Sequence, residues 1–249
     1  MLANNGFHEV FSVPSYSSIS RFFSNPPDVV VDRRPIKRRS TFDKIARAFF
    51  YENVEDYKPP PVIPNQKTLI LDLDETLIHS SSFPPHPNVS SFKHPTLGQF
   101  IFLRPGLEMF LSKVTKEFDV FIYTYSDYDY ANPIINVICP QIDKNHRLFR
   151  DSCCIETGKV YKDIDMVGRP KEEILIVDDN PAISRFHPDN AIQIDKWTGS
   201  PDDKALNEWL YPLLEKINNG TSIQSVIKGV RYLKKRCISN NFLPSFYCQ

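Results

Sequence analysis

Short, continuous apolar runs recur along the chain at Thr68–Leu73, Phe118–Tyr125, Glu173–Asp178 and Ala191–Ile194. Runs of this length, rich in Ile, Val, Leu and Phe and bounded by polar residues, read as strands buried on both faces. Phe100–Leu103 is a shorter strand-like piece, and Cys153–Tyr161 reads as a strand and turn about Gly158. Between these runs the apolar residues take helical spacing. After Arg104-Pro105-Gly106, with the proline suited to a first helical turn, Leu107, Phe110, Leu111 and Val114 form one stripe. Tyr130–Cys139 turns Ile134, Ile135 and Ile138 inward, and Ala205–Ile217 has a stripe of Leu206, Trp209, Leu210, Leu213, Leu214 and Ile217. A further helix is expected over Ile223–Leu233, ahead of a basic end. Strands alternating with helices predict an α/β fold with a central parallel sheet and helices on both faces.

The pattern weakens at both ends. Residues 1–60 are rich in Ser, Pro, Asn and Arg and are expected to be largely disordered. The exception is 41–51, where Ile45, Phe49 and Phe50 repeat at helical spacing. The domain is expected over 61–220, with a helix and tail over 221–249. Within it, Ser80–Gln99 is polar and proline-rich and reads as a loop.

Composition adds bounds. The chain has 249 residues, enough for one domain with appendages; 41% are hydrophobic, and the net charge of zero gives no overall field towards nucleic acid or anionic lipid. Arg33–Arg39, RRPIKRR, reads either as a solvated linker or as a nuclear address or acidic-partner patch. The five cysteines include no C-x-x-C, and the adjacent Cys153 and Cys154 are poorly placed to pair, so reduced thiols and no zinc site are expected. No stretch approaches the ~20 apolar residues of a membrane span. A nuclear or cytoplasmic protein is the resulting expectation.

Candidate chemistry collects where apolar runs end. Asp72, Asp74 and Thr76 follow the first run; Thr124 and Ser126 follow the second; Asp178 and Asp179 end the third; Lys162 follows the hairpin-like segment. Strand ends are where open α/β sheets place their ligands. Each cluster alone has an ordinary reading as turn chemistry or a solvated lysine. Together they are what phosphoryl transfer needs. A phosphomonoester dianion repels a carboxylate nucleophile, and a divalent cation held by Asp72 and Asp179 offsets that repulsion. Thr124 and Lys162 can bind the non-bridging oxygens. Asp74 is placed to protonate the leaving oxygen and then to deprotonate water.

Asp72-Leu73-Asp74-Glu75-Thr76-Leu77 resembles the first motif of the haloacid dehalogenase superfamily, and the longer LDLDETLIHSS resembles its FCP/SCP-like branch, phosphatases of the RNA polymerase II C-terminal domain. Leu103-Arg104-Pro105-Gly106, Tyr123-Thr124-Tyr125-Ser126, Val160-Tyr161-Lys162-Asp163 and Ile176-Val177-Asp178-Asp179-Asn180-Pro181 are similar to later motifs of that branch, in order, over roughly 64–220. The resemblance implies a Rossmann-like fold with short β insertions. It makes Asp72 the nucleophile that forms an aspartyl-phosphate, and Asp74 the acid/base. Mg²⁺ would be held by Asp72, the Asp74 backbone carbonyl and Asp179. Thr76, Thr124 and Lys162 would bind phosphate, with Asp178 and Arg104 in support. Two positions depart from the pattern. Asp179 stands where many relatives carry Asn, and Tyr125 where a small residue is common.

The stretches from Asp72 to Thr124 and from Thr124 to Lys162 leave no room for a separate cap of at least ~50 residues. An open site suits a phosphate on a protein chain, so phosphoserine or phosphothreonine in an extended peptide is the expected substrate, with the polymerase C-terminal domain as the family-level candidate. Direct nucleic-acid binding is not expected. The alternatives are a non-enzymatic peptide-binding relative resembling mitochondrial import receptors, and a small-metabolite phosphatase. Retention of Asp72, Asp74, Lys162 and Asp179 argues against the first, and the missing cap against the second.

Overall fold

The computed structural model describes residues 57–156 and 159–239 and turns each of the four apolar runs into a strand. The helix expected over 41–51, the basic run Arg33–Arg39 and the turn about Gly158 lie outside the described residues. In chain order the elements are β1 (Thr68–Leu71), β2 (Ile78–Ser81), β3 (Ser91–Lys93), β4 (Phe100–Leu103), α1 (Leu107–Glu117), β5 (Asp119–Tyr123) and α2 (Tyr128–Ile138). They continue with β6 (Arg147–Leu148), β7 (Cys154–Glu156), β8 (Lys159–Tyr161), β9 (Ile174–Asp178), α3 (Ile183–Phe186) and β10 (Ala191–Gln193). A π-helical turn (Ala205–Leu210) then runs into α4 (Tyr211–Asn218), and α5 (Ile223–Ser239) follows.

The main sheet has the order β10-β9-β1-β5-β6, with every neighbouring pair parallel. Side chains alternate along each strand, so one sheet feeds two cores. Leu69, Leu71, Val120, Ile122, Leu175, Val177 and Ile192 face α1, α2, α4 and α5, meeting Phe110, Ile134, Leu214 and Ile227 among others. Ile70, Phe121, Tyr123, Ile174, Ile176 and Ala191 face the opposite side. That side has a thinner cover, the 3₁₀ turn Ile164–Val167 and the one-turn α3. Because α5 buries Ile223, Val226, Ile227 and Val230 in the first core, the C-terminal helix is part of the packed body.

The proline-rich stretch read as a loop carries structure. β3 lies within it, β2 leads into it, and both pair antiparallel with the apolar β4 in the order β2-β4-β3. Ser91-Phe92-Lys93 is too short and polar to announce a strand, so the partner supplies the signal. The expected stripe over Ala205–Ile217 is also modified. The π turn adds a residue to the first turn, and Trp209 and Leu213 pack only partly while Leu206, Leu210, Leu214 and Ile217 are buried.

At the end of the sheet away from the strand C-termini, a buried ion cluster ties the segment before β1 to the core. Arg169 donates from Nε and Nη2 to Asp119 Oδ2 (2.9 and 2.7 Å), and also to the carbonyls of Pro60 (2.8 Å) and Pro61 (3.1 Å). His146 Nε2 lies 2.9 Å from Asp119 Oδ1. Burial works against the Asp119 charge, but His146 and Arg169 outweigh it and hold the carboxyl below its ordinary range. A carboxyl depressed in the folded state adds stability above its unfolded value of about 3.9, lost as pH falls through the folded value. Asp119→Asn should therefore cost about 3–5 kcal/mol at neutral pH by leaving Arg169 uncompensated. Its stability, measured by urea unfolding, should fall less steeply than wild type on acidification below that range. Parallel acid profiles for the two proteins would contradict this role.

Candidate active site

The strand order places β1 between β5 and β9, so three strands end side by side at the switch point of the sheet. Asp72 follows directly on β1 and still pairs through its N–H with the Val177 carbonyl (3.0 Å). The chain then turns sharply. The N–H groups of Leu77 and Ile78 both donate to the Leu73 carbonyl (2.9 and 3.1 Å), and Glu75 takes a left-handed φ of 58°. A non-glycine residue there costs about 1–3 kcal/mol and persists only where the surroundings hold it. Here Glu75 N–H donates to the Ile78 carbonyl (2.7 Å) and the Glu75 carbonyl accepts from Trp197 N–H (2.9 Å). The turn sends the two aspartates to different partners.

Asp72 is buried. Its Oδ1 accepts from Lys162 Nζ (2.5 Å) and its Oδ2 from the Thr76 hydroxyl (2.9 Å). Lys162, at the end of the β7–β8 hairpin, also donates to Asp178 Oδ2 (2.7 Å). Burial opposes the lysine's charge, but Asp178 and Asp72 outweigh it and raise the ammonium above its ordinary value. The backbone of Lys162 is fixed by His187, whose Nε2 donates to the Lys162 carbonyl (2.6 Å) and whose ring burial pushes towards the neutral form.

Asp74 occupies a separate pocket of hydroxyls. Oδ1 accepts from Tyr130 (2.6 Å); Oδ2 accepts from Ser126 (2.7 Å) and, at a long 3.4 Å, from Thr124. Burial raises its carboxyl above the ordinary value, and the bonds from Tyr130 and Ser126 only partly offset that.

Thr76, expected among the phosphate-binding groups, is fully buried. Its hydroxyl donates to Asp72 and accepts the Asp179 N–H (3.2 Å), linking two acids. Thr124 is fully buried too and receives the Ser126 N–H on its hydroxyl (3.0 Å). Arg104 sits behind the site. It grips Asp203 with two bonds (2.8 and 2.9 Å) and donates to the carbonyls of Thr76 (3.0 Å) and Asp195 (3.1 Å). It thereby ties the turn after β1 to the segment that follows β10.

Asp72, Asp178 and Asp179 offer carboxylate oxygens all within 4.8 Å of one another. The Asp74 carboxylate lies outside this group, and Asp178 lies inside it. Burial, and then the charges of Asp178 and Glu75, push Asp179 up to about 6. Asp72 is pushed up first by burial and further by Asp178 and Asp179, against the pull of Lys162. Three crowded hard-oxygen donors facing one lysine fit a divalent cation such as Mg²⁺. Asp72 and Asp178 each have both oxygens engaged, Asp72 by Lys162 and Thr76 and Asp178 by Lys162 and the Asn180 N–H (2.8 Å), so a cation held by the three acids would share their oxygens with these bonds.

Tyr130, Ser126 and His187 complete the arrangement, and two of the three carried only weak signals in the sequence. Ser126 precedes α2 and Tyr130 lies in its first turn, so the entry of that helix brings both hydroxyls to Asp74. Among the described residues, no helix is long and apolar enough to cross a membrane.

Residues 67–226 match the NLI interacting factor-like phosphatase family. The chain is 37% identical over 186 residues to CTD small phosphatase-like protein 2 of Dictyostelium discoideum, covering 71% of this chain and 33% of that protein. It is 32% identical over 171 residues to human carboxy-terminal domain RNA polymerase II polypeptide A small phosphatase 1, covering 66% of this chain and 64% of that one. The solved structure of Fcp1, an RNA polymerase II CTD phosphatase, aligns at 22% identity and a TM-score of 0.43 over 68% of this chain and 54% of that one. The chain thus spans less than two thirds of these relatives' own lengths. With the match running from the start of β1 into α5, the chain belongs to the NLI interacting factor-like phosphatase family.

Proposed function

We propose that the chain is a Mg²⁺-dependent phosphoprotein phosphatase that hydrolyses phosphoserine or phosphothreonine through an aspartyl-phosphate on Asp72. The observation that carries this reading is the division of labour between two neighbouring acids. Asp72 is locked to Lys162 beside Asp178 and Asp179, whereas Asp74 is held apart by hydroxyls with its carboxyl raised.

In the proposed reaction an Asp72 oxygen attacks phosphorus and the P–O ester bond breaks, its electron pair going to the leaving oxygen. Protonated Asp74 gives that oxygen its proton, and the alcohol departs. Asp74, now ionised, takes a proton from water as the water oxygen attacks phosphorus. The bond between phosphorus and Asp72 breaks, releasing phosphate and restoring both acids. Lys162 neutralises charge on the non-bridging oxygens, and Thr76 and Asp178 keep Asp72 and Lys162 aligned. A bound Mg²⁺ supplies electrostatic shielding between the phosphoryl group and the carboxylates.

Between β1 and Lys162 the described chain consists of the three-stranded sheet, α1, β5, α2, β6, the β7–β8 hairpin and short turns, leaving the site without an inserted domain of its own. That openness, and the names of the relatives, support an extended phosphopeptide as substrate, with a segment of the RNA polymerase II C-terminal domain as the first candidate.

Asp72→Asn, which keeps the side chain's shape, should lower turnover of a phosphoserine peptide by at least ~10³-fold while leaving the urea midpoint near wild type. Equal rates in the two proteins would contradict the nucleophile assignment. Wild-type activity should vanish in excess chelator and return on adding Mg²⁺, and full activity in chelator would contradict the cation's part. In side-by-side assays kcat/KM should favour phosphopeptides over sugar phosphates, and the reverse order would replace the protein substrate with a metabolite.

A further inference from the structure

Asp74 must hand a proton to one particular oxygen, so its orientation matters as much as its protonation. Tyr130 bonds Oδ1 at 2.6 Å, and Tyr130 is itself clamped from a distant part of the chain. His94, in the turn between β3 and β4, is buried and stacks on the Tyr130 ring with centroids 5.5 Å apart and planes 8° from parallel. Its Nδ1 accepts from the N–H groups of Thr96 (3.3 Å) and Leu97 (3.1 Å), so that nitrogen carries no proton. Nε2 is then the donor, and it bonds the Tyr130 carbonyl at 2.9 Å. The same turn is closed by His94 N–H to the Gln99 carbonyl (2.7 Å) and Gly98 N–H to the His94 carbonyl (3.2 Å). Ring and backbone of Tyr130 are therefore both held by one residue of the β3–β4 turn.

We infer that Tyr130 is a positioning residue for the Asp74 acid and that His94 acts through it, making the β3–β4 turn a working part of the active site. The stretch read from sequence as a polar loop thus carries a second duty beside any contact with substrate. This rests on the phosphatase reading above, in which Asp74 protonates the departing oxygen as the P–O bond breaks.

The leaving group separates orientation from general damage. An alkyl ester such as a phosphoserine peptide needs the proton, whereas p-nitrophenyl phosphate departs as a stabilised phenolate and needs it far less. In the holoenzyme with Mg²⁺, Tyr130→Phe should lower kcat/KM for the peptide on the order of ten- to a hundredfold, the scale of a hydrogen bond to a charged group. For p-nitrophenyl phosphate the fall should be several times smaller. His94→Phe keeps the stacking surface and removes both hydrogen-bonding nitrogens. It should show the same substrate-dependent split in weaker form, whereas His94→Asn, which keeps a donor, should recover part of the loss. Equal falls for the two substrates in soluble, folded Tyr130→Phe would overturn the inference while leaving the phosphatase reading intact. Absence of Asp72-dependent hydrolysis in the wild type would instead overturn both.

Discussion

The ammonium of Lys162, buried between Asp72 and Asp178, is the contact on which the rest of the site depends. Asp72, Asp178 and Asp179 crowd together at the ends of two adjacent parallel strands, where mutual repulsion and burial both work against ionisation. One lysine placed between two of them offsets part of that cost and fixes where their oxygens point. Its own place is set in turn by the β7–β8 hairpin and by His187 beneath its carbonyl. The charge that remains is the reason the cluster suits a divalent cation.

A second constraint shapes how Asp72 and Asp74 come to have different partners. Two residues apart on an extended chain, they would face the same way. The chain leaves the strand at Leu73, whose carbonyl closes the turn, and Trp197 and Arg104 hold that turn in place from segments far along the chain. The two acids thereby sit in separate environments, a charged one around Asp72 and a hydroxyl-lined one around Asp74. The C-terminal segments are thus tied to the geometry of the first motif, in line with a family match that runs from β1 into α5.

Most of the scaffold was legible because its strands are buried on both faces. Runs such as Leu69–Leu71 and Ile174–Val177 have no other stable use, and they fell where periodicity put them. The gathering of Asp72, Lys162, Asp178 and Asp179 was legible as well, since charged groups directly after apolar runs stand out. What stayed hidden depends on partners distant in sequence. Ser91–Lys93 becomes a strand only because β4 offers an edge. Thr76 looked available to a ligand, yet its hydroxyl is used by Asp72 and Asp179, a fact set by the closeness of β9. Asp178, expected only in support of the cation site, lies in the carboxylate cluster itself, again because β9 ends beside β1. Tyr130 read as a helix residue because nothing local shows that its hydroxyl reaches across the sheet ends to Asp74.

In the proposed reaction phosphorus is captured by the carboxylate that Lys162 clamps. The most direct measurement is mass spectrometry of the protein acid-quenched during turnover of a phosphoserine peptide, mapping where the phosphoryl group sits. An adduct confined to Asp72 is expected. An adduct on Asp74, Asp178, Asp179 or any other side chain, with Asp72 unmodified, would contradict it.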